Sequence, residues 1–137
     1  MTYKIRQIEY FYTDVADEPG TAYSVLTQLS ELGINQLAFS AVPTGPNKVQ
    51  VALFPDDAPK LVQMAKAANM KLDGPHKAIL VQGDDKMGAL VDIHNKLYLA
   101  NVNIYASNGV TDGDGSFGYL IYIRPSEFEQ AVKALYL

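Results

Sequence analysis

The sequence predicts an α+β protein made of two related halves, each with an antiparallel-rich sheet and helices on one face. Three observations predict it. First, a stretch is written twice. Subtracting residue numbers gives 68 for Asp17/Asp85, Gly20/Gly88, Ala22/Leu90, Val25/Ile93, Leu29/Leu97, Ile34/Val102 and Asn35/Asn103. A gap-free match across a turn, a helix and the next strand start is the mark of an internal duplication. Second, in each half the apolar spacing reads strand, helix, strand, strand, helix. Third, the 137 residues are 48% apolar and 19% charged, as in soluble globular proteins. Halves of this length are near the lower limit for independent stability, which predicts that they pack on each other.

Residues 3–13 are rich in β-branched and aromatic side chains and read as a strand. Its apolar phase changes between Ile5 and Ile8, which predicts a bulge or bend. Residues 14–20 form a turn. Asp17 or Glu18 offers a carboxylate to the coming helix start, and Pro19 suits a first turn, where no N–H partner is needed. Ala22, Val25, Leu26, Leu29 and Leu32 share one helical face, and Gly33 is the left-handed terminator. Leu37, Phe39 and Ala41 alternate along a strand, residues 43–47 turn, and Val49, Val51 and Leu53 face one way along the next strand, giving a hairpin that ends at Pro55.

A second helix starts near Asp56 and Asp57, with Ala58, Leu61, Val62, Ala65 and Ala68 on its apolar face. Asp73-Gly74-Pro75 reads as a loop and as the boundary between repeats, 1–74 and 75–137. Ala78 to Val81 is a short apolar run that suits a strand buried on both faces. The second half repeats the order: a helix with Leu90, Ile93, Leu97 and Ala100, strands over 102–106 and 117–123, and a last helix with Phe128, Ala131, Val132 and Leu135. This is the ferredoxin-like βαββαβ arrangement, but the second repeat has no residues left for its fourth strand. One remedy is strand sharing: residues 78–81 complete the first repeat while beginning the second, and the long first strand serves the other repeat.

Asp17-Glu18-Pro19-Gly20, a helix, then Gly33-Ile34-Asn35 resembles the ACT domain family of small regulatory modules. The second copy, Asp85-Lys86-Met87-Gly88 with Val102-Asn103, is similar but carries Met87 for the proline and Asn101 for the glycine. The resemblance implies a free-standing tandem ACT domain protein that binds an amino acid where the turn of one unit meets the sheet edge of its neighbour. It places Gly20, Thr21 and Ala22 around one site and Gly88, Ala89 and Leu90 around the other, with Met87 adding an N–H and a bulky side chain.

The residue chemistry supports those turns independently. A glycine between strand and helix lets a ligand approach the backbone, and the helix start offers free N–H groups and a partial positive charge to a carboxylate. The Asn35 or Asn103 side chain can accept from a ligand ammonium, or fix its own strand start. Asp17 and Asp85 are expected to cap the helices.

Other functions have weaker signals. A formal charge of −4 argues against non-specific nucleic-acid binding. There is no apolar run of membrane-spanning length, and the start lacks the apolar core of a signal peptide. The chain has no cysteine, which excludes disulfides and thiolate chemistry and fits a cytoplasmic location. His94 is read as a half-buried packing residue and His76 as solvated. Asp112-Gly113-Asp114-Gly115-Ser116 starts like a calcium loop but has Phe117 and Ile123 where glycine and glutamate belong, so it reads as a mobile hairpin tip. No catalytic set, metal set or cofactor motif is indicated, so the reading is a non-enzyme. Tyr10, Tyr12, Tyr105, Tyr119 and Tyr122 predict rings on the open sheet face, buried either in an intramolecular core or by association as a homodimer. The alternative function is an oligomerisation or protein-interaction module whose turns are purely structural.

Overall fold

The computed structural model describes residues 3–137; Met1 and Thr2, part of the start read above for a signal-peptide core, lie outside them. The elements run β1 (Tyr3–Ala16), α1 (Thr21–Glu31), β2 (Gln36–Gly45), β3 (Lys48–Pro55), α2 (Ala58–Ala67), β4 (Asp73–Asp84), α3 (Ala89–Leu99), β5 (Ile104–Thr111), β6 (Ser116–Ile123) and α4 (Pro125–Ala134). No helix of the described residues is long and apolar enough to cross a membrane.

The chain divides into two compact units: Glu9–His76, and Lys77–Leu137 taken with the chain up to Ile8. We call them the Glu9 unit and the Lys77 unit. The division falls inside β1 and inside β4, so each of these strands serves both units. In the Glu9 unit the hydrogen-bonded order is β2-β3-β1-β4; in the Lys77 unit it is β1-β4-β6-β5. The fourth strand of the Lys77 unit is therefore the start of β1.

The two units repeat their strand registers. In the Glu9 unit Phe11 pairs with Leu53, Thr13 with Val51 and Val15 with Val49. In the Lys77 unit Ile79 pairs with Ile121, Val81 with Tyr119 and Gly83 with Phe117, every number greater by 68. The outer pairs agree as well: Phe39 with Leu53 and Ala41 with Val51, against Ser107 with Ile121 and Gly109 with Tyr119. Even the irregularity at Gln36/Ala38 recurs at Ile104/Ala106. All these pairs are antiparallel. A one-residue slip would turn every core side chain to the wrong face, so such agreement reflects the same inward pattern in both units.

Each unit has its own core. In the Glu9 unit Phe11, Val51 and Leu53 from the sheet meet Val25 and Leu29 of α1 and Leu61 and Met64 of α2. In the Lys77 unit Ile79, Val81, Ile121 and Ile123 meet Ala89, Ile93 and Leu97 of α3 and Phe128, Ala131 and Val132 of α4. The helical spacing seen in the sequence is thus the inward stripe of each helix. Asp57 caps α2 by accepting from the Lys60 N–H at 3.1 Å, with proline in the first turn. Gly33 ends α1 at φ 71°, and Asn101, which stands in its place in the second half, takes φ 58° after α3. Asparagine tolerates that left-handed conformation best after glycine, which explains why the departure is allowed.

Several expectations are corrected. Asp73-Gly74-Pro75 is the beginning of β4, not a loop. Pro19 lies before α1, and neither Asp17 nor Asp85 caps a helix: α1 and α3 begin at Gly20 and Gly88 with no side-chain cap. The backbones of the two aspartates instead tie each turn to a hairpin. The Asp17 N–H donates to the Asn47 carbonyl at 3.0 Å, and the Asp85 N–H to the Gly115 carbonyl at 2.9 Å. Of the five tyrosines, Tyr10, Tyr119 and Tyr122 are buried within the chain, the intramolecular alternative, while Tyr105 is exposed. Tyr10 stacks on Phe54, and Tyr119 joins the helix-side core of the Lys77 unit.

Candidate functional site

The turn before α3 opens onto a groove of about 570 Å³ in the Lys77 unit. Three elements wall it. Gly88, Ala89, Leu90 and Val91 come from the helix start, Gly109, Val110 and Thr111 from β5, and Phe117, Gly118 and Tyr119 from β6. Gly88 holds φ 79°, where an L side chain is strained, and the space beside it is open. α3 has no side-chain cap; of its first N–H groups, Ala89 donates to the Lys86 carbonyl and Val91 to the Gly88 carbonyl, each at 3.0 Å. Asp85 and Lys86 also line the groove and are exposed.

The far wall is a tyrosine locked in place. The Tyr119 hydroxyl lies 2.7 Å from His94 Nε2, with the rings 5.8 Å apart. The ring also lies across β5 at Gly109, where an added Cβ would be 3.0 Å from Tyr119 Cδ1. Gly109 is therefore the residue that lets an aromatic ring cross its strand partner. His94 is not the half-buried packing residue expected: it is exposed on the flank of α3 and bonds through one ring nitrogen.

The first turn is built alike, with its threonine hydroxyl already bonded. Gly20 has φ 91°, and a Cβ added there would meet nothing within 4 Å. The Thr21 hydroxyl is engaged with the Ala16 carbonyl at 2.8 Å. Ala22 is half-buried.

The two asparagines are elsewhere. Asn35 and Asn103 follow the C-terminal ends of α1 and α3, while Gly20 and Gly88 precede their N-termini. Helices of 11 residues separate them by about 16 Å. Within one unit, then, no small ligand touches both Gly88 and Asn103. Both asparagines use their backbones: the Asn35 N–H donates to Asp56 Oδ1 and the Asn103 N–H to Glu127 Oε1, each at 3.1 Å. Met87 is fully exposed ahead of Gly88.

His76 is half-buried rather than solvated, with its ring 5.3 Å from those of Tyr10 and Tyr12 and its Nε2 3.3 Å from Asp73. Asp112 closes the β5–β6 hairpin by accepting from the Asp114 and Ser116 N–H groups at 2.7 and 3.0 Å. No group of three or more His, Asp or Glu side chains suited to a metal ion occurs among the described residues. The groove residues that sequence reasoning passed over are Gly109, Val110, Thr111, Phe117, Gly118 and Tyr119. The signal for one was available: an isolated glycine in a strand pattern marks a close approach.

No family model and no curated protein matches this chain. Solved structures do. A protein of Bacteroides thetaiotaomicron superposes with a TM-score of 0.80 at 15% identity over 96% of this chain and 88% of that one. The regulatory subunit of aspartate kinase from Thermus thermophilus, in its ligand-free form, gives 0.66 at 17% identity over 98% and 94%. Its counterpart from Thermus flavus gives 0.59 at 15% over the same shares. At such identities the likeness shows the fold alone, and it supports the ACT-like α+β arrangement expected from the sequence.

Proposed function

We propose that this chain is a non-catalytic regulatory protein that binds a small metabolite, an amino acid, and acts as a homodimer in the cytoplasm. The reading takes residues 1–74 and 75–137 as two ACT-like repeats with related sites. The observation that carries it is the groove in which an uncapped helix start at Gly88 meets the outer strand β5. A carboxylate at that helix start gains about 0.3–2 kcal/mol from the helix dipole. Leu90, Val91, Val110 and the Tyr119 ring offer an apolar wall to a side chain. The fold is shared with a regulatory subunit of aspartate kinase, which adds support from analogy.

In this reading Gly20, Thr21 and Ala22 bind at one corner, and Met87, Gly88, Ala89 and Leu90 at the other. Asn35 and Asn103 take part where a second copy presents them, because within each unit the helix holds the asparagine away from that unit's own turn. Homodimerisation is thereby part of the proposal, and ligand control follows if one assembly binds better than another. For the cytoplasmic location the cysteine-free composition is the sole support.

Calorimetric titration with each of the twenty amino acids tests the proposal. At least one is expected to give saturable heat and a raised melting temperature. Val91→Trp, which narrows the groove from an exposed position, is expected to weaken that binding at least tenfold. Absence of heat and of any thermal shift with all twenty overturns it.

A specific observation favours a second reading, a protein-interaction module. The outer side of α3 exposes Val91 at 67%, Tyr98 at 75% and Leu99 at 74%. Apolar side chains grouped in this way are commonly covered by a partner. Co-purification of a stable partner without small-molecule binding would decide for it.

A further inference from the structure

The far wall of the Gly88 groove departs from the other unit at three positions together. By the offset of 68, Tyr119, Gly109 and His94 stand where the Glu9 unit has Val51, Ala41 and Leu26, and the paired strands agree, Gly109 with Tyr119 and Ala41 with Val51. One physical cause joins the three changes. A ring as large as that of Tyr119 lies across β5 only where the strand has no Cβ, since a Cβ at Gly109 would be 3.0 Å from Tyr119 Cδ1. Its hydroxyl belongs to a residue only 6% exposed and needs a polar partner, which His94 Nε2 supplies at 2.7 Å. Alanine and leucine at those places could do neither.

The outcome is a fixed apolar wall. The ring is held at its tip by His94 and lies flush against β5 at Gly109. Its hydroxyl is engaged with His94, which does not line the groove. Leu90, Val91, Val110 and Phe117 extend the same apolar lining.

The turn supplies the charge. Asp85 and Lys86 precede Gly88, line the groove and are exposed, and neither is in an ion pair among the described residues. Exposed charges of this kind add little affinity, but one of each sign orients a zwitterion, with Lys86 toward its carboxylate and Asp85 toward its ammonium.

We propose that Tyr119 is the specificity-determining residue of this groove, that His94 is its positioning residue, and that together they select an α-amino acid with a compact aliphatic side chain. The inference rests on the amino-acid reading above and goes beyond it by naming the class. With the charged end of the ligand at the turn, its side chain lies on the Tyr119 ring and the apolar lining beside it. A hydroxyl placed there gives up water for an apolar surface, and a long side chain meets a ring held on two sides.

Calorimetry of the full chain with valine, threonine and phenylalanine tests it. The wild type is expected to bind valine at least tenfold more tightly than threonine, its isostere, and than phenylalanine, a discrimination of the order of about 10–200-fold that apolar pockets reach. Tyr119→Val combined with Gly109→Ala installs the pair that the Glu9 unit already carries, and it is expected to raise phenylalanine binding relative to valine about tenfold. His94→Leu, which releases the ring, shifts the same ratio in the same direction, and His94→Gln, which can still bond the hydroxyl, shifts it less. A packing role alone would lower the melting temperature of these variants and leave the valine-to-phenylalanine ratio as in the wild type, which overturns the proposal. Threonine or phenylalanine binding the wild type as tightly as valine overturns it too. Absence of binding by all twenty amino acids overturns the amino-acid reading and this proposal with it, whereas binding with another preference overturns this proposal alone.

Discussion

Gly88, which lines the candidate groove, and Asp112, which closes the β5–β6 hairpin, show how much a single residue contributes. Gly88 sits at φ 79°, and nothing but Val91 Cγ2, at 4.0 Å, would touch an added methyl group. Gly88→Ala therefore tests backbone strain without a clash, and it is expected to lower stability by about 1–2 kcal/mol in a denaturant titration. An unchanged midpoint would mean that the turn relaxes to a different conformation. Asp112 is a matter of charge. Hydrogen bonds from the Asp114 and Ser116 N–H groups hold its carboxyl below the usual aspartate range. A depressed carboxylate contributes stability above its unfolded pKa, and the contribution is lost as pH falls through the folded value. The amide signals of Asp114 and Ser116 are thus expected to titrate together below the ordinary aspartate pKa, and to stop doing so in Asp112→Asn. The glycines at the two helix starts and the left-handed Gly33 could be read from the sequence, because position and residue type agree. For Gly109 an isolated glycine could signal a close approach, but not which side chain makes it, since Tyr119 comes from the neighbouring strand.

At the level of elements, the helices were legible and the strand ends were not. The 3.6-residue stripe of α3 (Ala89, Ile93, Leu97) faces its core, and its end lies where Asn101 turns left-handed. Strand lengths depend on partners. β5 runs on to Thr111 because β6 continues beside it to Ser116, and this added length supplies Gly109, Val110 and Thr111 to the groove. β4 likewise starts at Asp73, where the local sequence reads as a loop, because β1 is its neighbour. Helix cores should behave separately in the two units, since Leu29 belongs to one cluster and Ile93 to the other. Leu29→Ala and Ile93→Ala are each expected to cost about 2–5 kcal/mol, typical for deleting fully buried side chains. Native-state hydrogen exchange should show the loss chiefly around Val51 and Leu53 for the first variant, and around Ile79 and Ile121 for the second. Equal loss in both places for both variants would show a single cooperative unit instead.

For the whole molecule, the informative feature is that sequence halves and compact units differ. The Glu9 unit is continuous along the chain, running strand, helix, strand, strand, helix, strand between Glu9 and His76. The Lys77 unit is not: its sheet order β1-β4-β6-β5 includes residues from the beginning of the chain. Tyr3 and Ile5 pack on its core, and Arg6 Nη2 donates to Gln82 Oε1 at 3.2 Å. That the start of β1 stands beside β4 could not be read locally, because it depends on contacts between residues far apart in the chain. Beginning the chain at Glu9 would strip β4 of its β1 neighbour in the Lys77 unit, leaving strand N–H and C=O groups without partners. The expected result is loss of amide protection at Ile79 and Val81 and exposure of the Lys77 unit's core, while Val51 and Leu53 in the Glu9 unit keep most of theirs. Adding a peptide of residues 1–8 in excess should restore part of the protection, in proportion to its binding. If the truncated chain instead loses protection first at Val51 and Leu53, the start of β1 supports the Glu9 unit and the assignment of strands to units is wrong.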